Sequence, residues 1–212
     1  MLMNKRMLLL AAVLLVAFTS GGCGYNTLVT KQQNVRRSWS DVESNLQRRA
    51  DLIPNLIATA QSAGVQEQEV FGQIAEANSR LINAEKAAPQ GADGDKTPEQ
   101  KQAVIDAANS FGGTIGRLLS LQQTWPQLRS SELFMRVQDE LAGTENRINV
   151  ARQDYNAAVQ DYNTSRGQFP MVIAARMYGF KEEPYFKADA SATQVPRIDP
   201  NTMRRPESST NH

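Results

Sequence analysis

A chain of 212 residues suffices for one domain of ordinary size and is too short for several independent cores. Its 41% hydrophobic content, 21% charged content and mean hydropathy of −0.47 disfavour both a multi-span membrane protein and an acidic disordered chain. The net charge of +1 becomes −1 once Lys5 and Arg6 are set aside, and the lack of a basic surplus argues against a nucleic-acid partner.

Two residue types narrow the chemistry further. The one histidine, His212, is the last residue, in a tail of Ser, Thr, Asn and Pro, and the one cysteine is Cys23. Cys/His zinc sites, Ser-His-Asp or Cys-His nucleophiles and intramolecular disulfides are therefore out of reach. No catalytic residue, metal site or cofactor is expected.

The N-terminus reads as an export signal. Lys5 and Arg6 precede twelve residues, Met7 to Phe18, without a polar side chain, and then Thr19-Ser20-Gly21-Gly22. Twelve apolar residues suit a signal segment better than a spanning helix, which needs about 20. The small residues directly before Cys23 resemble a bacterial lipoprotein processing site, where the thiol is acylated and cleavage leaves Cys23 first. Ser20 stands where an aliphatic residue is usual, so an uncleaved anchor and a released form stay open as alternatives. Each reading exports the domain.

Helical periodicity follows. Val35, Trp39, Val42, Leu46, Ile53, Leu56, Ala60 and Ala63 form one stripe, with Asn26 or Thr27 as the expected cap and Gly64 as the stop. Pro54 leaves the Ala50 carbonyl without a donor and predicts a bend within this helix, not an end. A second helix is expected from about Gln66 to Ala87, then an exposed loop from Pro89 to Asp95. Thr97-Pro98-Glu99-Gln100 predicts a capping box opening a third helix, whose stripe is Val104, Ala108, Phe111, Ile115, Leu118, Gln122 and Trp125. Gly112 and Gly113 in it suggest close approach of a neighbouring helix.

The fourth helix, about Ser130 to Gln168, carries Phe134, Leu141, Ile148, Tyr155, Tyr162 and Phe169 at intervals of seven, with Val137, Thr144, Ala151, Ala158 and Ser165 three residues after each. A short apolar helix follows Pro170, and the prolines from Pro184 onward predict a disordered tail. The expected fold is all-α: an elongated antiparallel four-helix bundle with long first and last helices, an N-terminal membrane anchor and a disordered C-terminal tail. Residues 1–22 are assigned to the signal or anchor, 23–182 to the helical domain and 183–212 to the tail.

GCGYNTLVT, RRADLIPNL, WPQLRSSELFMRVQDEL, TENRINVARQDYNAAVQDYN and FPMVIAARMYGF together resemble the LemA family of bacterial envelope proteins, from Gly22 to about Phe186. TENR, AR and the two YN pairs in register are specific as a set. The chain departs from the family's pattern at Ser130-Ser131-Glu132-Leu133 and in a longer loop from Pro89 to Lys96. The resemblance implies a helical, N-terminally anchored protein outside the cytoplasmic membrane, periplasmic if the organism has two membranes, with no characterised activity.

Arg48, Arg49 and Asp51 lie beside Pro54, while Glu145, Asn146, Arg147 and Arg152 lie within the seven-residue seam. In an antiparallel bundle the two groups can meet. Arg49 falls seven after Val42, an inward position that demands a partner, with Glu145, Asp51 and the Ala50 carbonyl available. A register-fixing polar network is the plainer reading, a site for an anionic or peptide ligand the sharper one. Met171, Ile173, Met177 and Phe180 either dock on the bundle or meet a membrane or partner. These features favour a noncatalytic, membrane-tethered module for contacts with an envelope protein; a membrane-surface organiser is the alternative, and an enzyme using arginine and carboxylates is the third class.

Overall fold

The computed structural model describes residues 5–91 and 95–187, with the backbone alone for residues 5–23. Among the described residues the protein is all-helical, without a strand: α1 Lys5–Ser62, α2 Gln68–Lys86, α3 Pro98–Thr124, α4 Gln127–Ser130, α5 Glu132–Gly167 and α6 Met171–Tyr178. None of these helices is long and apolar enough to cross a membrane. Cys23 acylation and the tail from residue 188 onward concern atoms outside the described ones.

α1 runs unbroken through the region where a cap at Asn26 or Thr27 was expected. Glycines at 21, 22 and 24 each weaken a helix by about 1 kcal/mol relative to alanine, but remove no backbone donor. At Gly24 tertiary packing offsets this cost: Met171 and Ala174 of α6 lie 3.7–3.8 Å from where a Cβ would stand. The helix stops at Gly64, whose φ of +86° suits a residue without Cβ. Val65 N–H donates to the Ala60 carbonyl at 3.1 Å and Gly64 N–H to the Gln61 carbonyl at 2.9 Å, while buried Val65 completes the hydrophobic closure.

Pro54 sits inside α1, and the helix continues past it. The carbonyl it orphans is claimed by another helix, because Asn78 Nδ2 of α2 donates to Ala50 O at 3.3 Å. The Ala50 carbonyl is thus not the partner of Arg49. α3 opens with the expected capping box: Gln100 N–H donates to Thr97 Oγ1 at 3.3 Å, and Thr97 N–H donates to Gln100 Oε1 at 3.0 Å.

α1 and α5 run antiparallel, with Lys31 opposite Asp161, Trp39 opposite Tyr155 and Arg48 opposite Glu140. α2 folds back along α1, and α3 returns along α2. α2 and α3 reach only part of the way: the loop between them meets α1 at Arg36 and Glu43, and Lys101 sits over Trp39. Towards Gly24, the α1–α5 pair is covered instead by α6 and residues 181–187. The buried stripes of α1, α2, α3 and α5 merge into one core.

The fourth expected helix stands as α5 within two residues of its bounds, capped by Ser131, whose Oγ accepts from Phe134 N–H at 3.3 Å, and a short α4 precedes it. Two expectations change. Phe169 leaves the seam and is 80% exposed, because α5 ends at Gly167 before it. Residues 183–187, assigned to a disordered tail, are held against the helices, with Glu183 and Phe186 buried. Proline there stops a helix but suits an extended segment, and side-chain partners satisfy its backbone.

Gly112 and Gly113 do not admit a neighbouring helix. Both are exposed, and a Cβ on either would meet nothing within 4 Å. Replacing both by alanine is expected to stabilise the protein by about 0.5–1 kcal/mol per site and to raise Tm by about 2–6 °C in total, measured by circular dichroism on heating.

Candidate functional site

Arg49 is the largest of the fully buried side chains and is 0% exposed. Its Nη1 donates to Glu145 Oε2 of α5 at 2.8 Å, and its Nη2 donates to the Ala108 carbonyl of α3 at 3.2 Å. The Phe111 ring lies under the guanidinium, 5.1 Å from its carbon to the centroid. One side chain of α1 therefore joins α3 and α5. Glu145 is 41% exposed, so its second oxygen keeps access to water.

The other residues singled out in the sequence divide. Arg152 completes the group from one side: it is half-buried over the Phe186 ring at 4.2 Å, with burial lowering its pKa, Glu145 opposing that shift and Arg49 adding to it. Arg48 pairs with Glu140 at 2.9 Å on the surface. Asp51 turns to a different cleft, and Asn146 and Arg147 line an open groove with Asp41, Asn45, Val150 and Asp154. Buried Arg49, bonded to half-exposed Glu145 and near half-buried Arg152, makes these three the coupled set.

The Tyr-Asn pairs do something the sequence reading did not anticipate. Tyr155 and Tyr162 are core residues of the seam, yet their hydroxyls donate to the Pro184 and Lys181 carbonyls at 2.8 Å each. Asn163 Nδ2 donates to the Glu183 carbonyl at 2.9 Å, and its Oδ1 accepts from Glu183 N–H at 3.1 Å. Asn156 grips Phe186 in the same two-handed way, at 2.9 and 2.8 Å. The register has a simple origin. Seven helical residues rise about 10.5 Å, and three extended residues span about 10 Å, so a seven-residue repeat on α5 matches a three-residue repeat on the extended segment 181–187, a strap along the helix.

Burial and nearby Glu183 push both phenols up, Tyr162 to about 12 and Tyr155 further, so the hydroxyls remain donors at neutral pH. Glu183 is itself anchored by Lys101 Nζ at 2.8 Å, both side chains being buried and Lys101 lying over Trp39. Asn109 Nδ2 of α3 donates to the Lys187 carbonyl at 3.0 Å. No local signal marks Glu183 or Lys101 as buried, since each has an ordinary charged side chain whose partner lies 82 residues away.

A cleft of about 210 Å³ between α1 and the end of α2 is lined by Glu43, Gln47, Asp51, Ile82, Glu85, Lys86 and Lys96. Burial, and then Glu43, push the Glu85 carboxyl up to about 7, so it exchanges a proton near neutrality. Among the described residues no three His, Cys, Asp or Glu side chains are grouped to hold a metal ion. Of the apolar residues of the α6 region, Met171 and Phe180 pack half-buried on the core, whereas Ile173 and Met177 are exposed.

Two outcomes test this description. Replacing Glu145 by Leu strands a buried guanidinium and is expected to cost about 3–5 kcal/mol, more than Arg49→Met at about 1–2 kcal/mol, which leaves a carboxylate able to reach water; urea unfolding ranks the two. The double change Asn156→Ala with Asn163→Ala is expected to cost about 2–4 kcal/mol and to raise amide hydrogen exchange at 183–187 without loosening α2 and α3.

Comparison with known proteins agrees with the motifs. The family model described as the LemA family matches residues 38–199. The chain is similar to magnetosome protein MamQ 2 of Paramagnetospirillum magneticum, 27% identical over 192 residues, covering 85% of this chain and 70% of that protein. It is also similar to magnetosome protein MamQ of Magnetospirillum gryphiswaldense, 27% identical over 211 residues, covering 93% and 77%. With the family model spanning most of its length and the Tyr-Asn, Arg49 and Glu145 positions all inside the match, the chain belongs to the LemA family.

Proposed function

We propose that this protein is a noncatalytic, membrane-tethered scaffold of the bacterial cell envelope. In this reading residues 1–22 are an export signal and Cys23 is acylated, which holds the chain on a bilayer without a spanning helix. The helices α1, α2, α3 and α5 act as one elongated antiparallel bundle. Its folded part includes residues 183–187.

The observation that carries the reading is the use made of the buried charge. Arg49 binds a carboxylate of α5 and a carbonyl of α3, and Lys101 binds Glu183, so Arg49 joins three helices and Lys101 joins α3 to the segment 181–187. From Gly24 to Ser62, α1 would hold its far end about 57 Å from the tether. There Leu133 and Met135 are exposed beside the α4–α5 junction, a small apolar tip suited to an envelope protein partner. The likeness to proteins named for the magnetosome fits a protein that works within a larger cellular structure.

A photo-cross-linking amino acid placed at Leu133 in intact cells is expected to give a discrete adduct that is missing when the same group is placed at exposed Val150. Equal labelling from both positions, or turnover of cell-wall or peptide substrates by the purified full chain, would overturn the scaffold reading.

A further inference from the structure

Exposed apolar side chains at the opposite end from Leu133 lie on α6 and in the residues next to it. Phe169 is 80% exposed, Met177 71% and Ile173 53%, and Tyr178 and Tyr25 are exposed as well. Ile173 and Met177 are one helical turn apart on α6. The Tyr25 and Tyr178 rings lie 4.7 Å apart, and Tyr25 also meets Phe180 at 5.8 Å, so α1 and α6 contribute to a single patch.

The position of this patch identifies its occupant. α6 packs on α1 at Gly24, the residue after Cys23, and Tyr25 is the next residue along the chain. A surface this close to a lipid attachment lies at the bilayer boundary, whereas a protein partner would have to enter between the domain and the membrane. The composition suits that boundary too: exposed tyrosine, aliphatic and phenyl side chains, with Arg176 and Lys181 also exposed in the same segment. Segments of this kind lie in the membrane plane with the apolar face about 5–10 Å deep.

We propose that the outward face of α6, with Phe169 and Tyr25, seats in the lipid surface and fixes the angle at which α1 and α5 leave the membrane. A flexible acyl tether alone sets a distance; two separated points of lipid contact set an orientation. The proposal rests on the tethered reading above. It assigns Ile173 and Met177 to lipid and, correspondingly, Met171 and Phe180 to the join between α6 and the core.

The test uses the full chain reconstituted in vesicles of phosphatidylcholine and phosphatidylglycerol, with an environment-sensitive fluorescent amino acid encoded at Met177 or, as a reference, at Val150. Brominated acyl chains are expected to quench the probe at 177 by about twofold or more and to leave the probe at 150 unchanged. Adding Ile173→Glu should abolish the quenching at 177 while the protein still floats with the vesicles. Equal quenching at the two positions in vesicles that retain the protein overturns the lipid seat and leaves the tether intact. A spectral shift at 177 that appears without vesicles and grows with protein concentration assigns the patch to a second copy and likewise overturns it. Failure of the full chain to float with vesicles at all overturns the tether, and the seat with it.

Discussion

A buried guanidinium fixes how the long helices meet. Desolvating a cation costs several kcal/mol unless its donors are matched, so an arginine in a core tolerates very few registers of the surrounding helices. Arg49 meets this condition at its two terminal nitrogens, with a carboxylate from α5 and a carbonyl from α3 each within hydrogen-bond distance, while its buried Nε has no protein partner. Sliding α5 by one turn would move Glu145 about 5.4 Å away while leaving leucine, isoleucine and tyrosine contacts broadly replaceable. Apolar stripes drive the helices together; the charge decides which turn faces which. The Pro54 defect one turn further on adds a second such condition, because Asn78 of α2 must stand at the orphaned Ala50 carbonyl.

The strap extends this logic to a segment with no secondary structure of its own. An extended chain lying on a helix has unsatisfied N–H and C=O groups on its helix-facing edge. Asn156 and Asn163 act toward it as a neighbouring strand would, each offering one donor and one acceptor, and the tyrosine hydroxyls donate to the Lys181 and Pro184 carbonyls. Because these contacts are to backbone, they place few demands on the strap's side chains. The exceptions are Glu183, locked to Lys101, and Phe186, stacked under Arg152. Arg152 thereby links the strap to the Glu145–Arg49 group, so the two polar assemblies share one physical boundary.

That arrangement bears on the proposed role. α2 and α3 do not cover the part of α1 and α5 nearest Gly24, and α6 with the strap occupies the space. The end of the molecule nearest Gly24 is thus built differently from the end carrying Leu133 and Met135. A scaffold oriented on a surface would gain from such asymmetry, with the α6 end proposed to meet lipid and the other end proposed to meet protein.

Much of the fold was legible because its causes are local or periodic. The Thr97–Gln100 capping box, the stop at Gly64, the stripes of α1 and α3 and the seam from Phe134 to Tyr162 each follow from a few neighbouring residues and the 3.6-residue turn. The same periodicity placed Arg49 inward, and the sequence by itself determined that a buried arginine would need a partner. Which partner it met was a matter of tertiary structure, as were Asn78 at the Pro54 defect, Lys101 beneath the strap and the open space around Gly112 and Gly113. Periodicity says which face of a helix turns inward, but a hydrogen bond depends on the positions of two atoms brought together from distant parts of the chain. Residues 183–187 show the difference most plainly: proline and polar composition describe how the segment behaves alone, and only the Tyr-Asn ladder of α5 explains why it lies ordered against the helices.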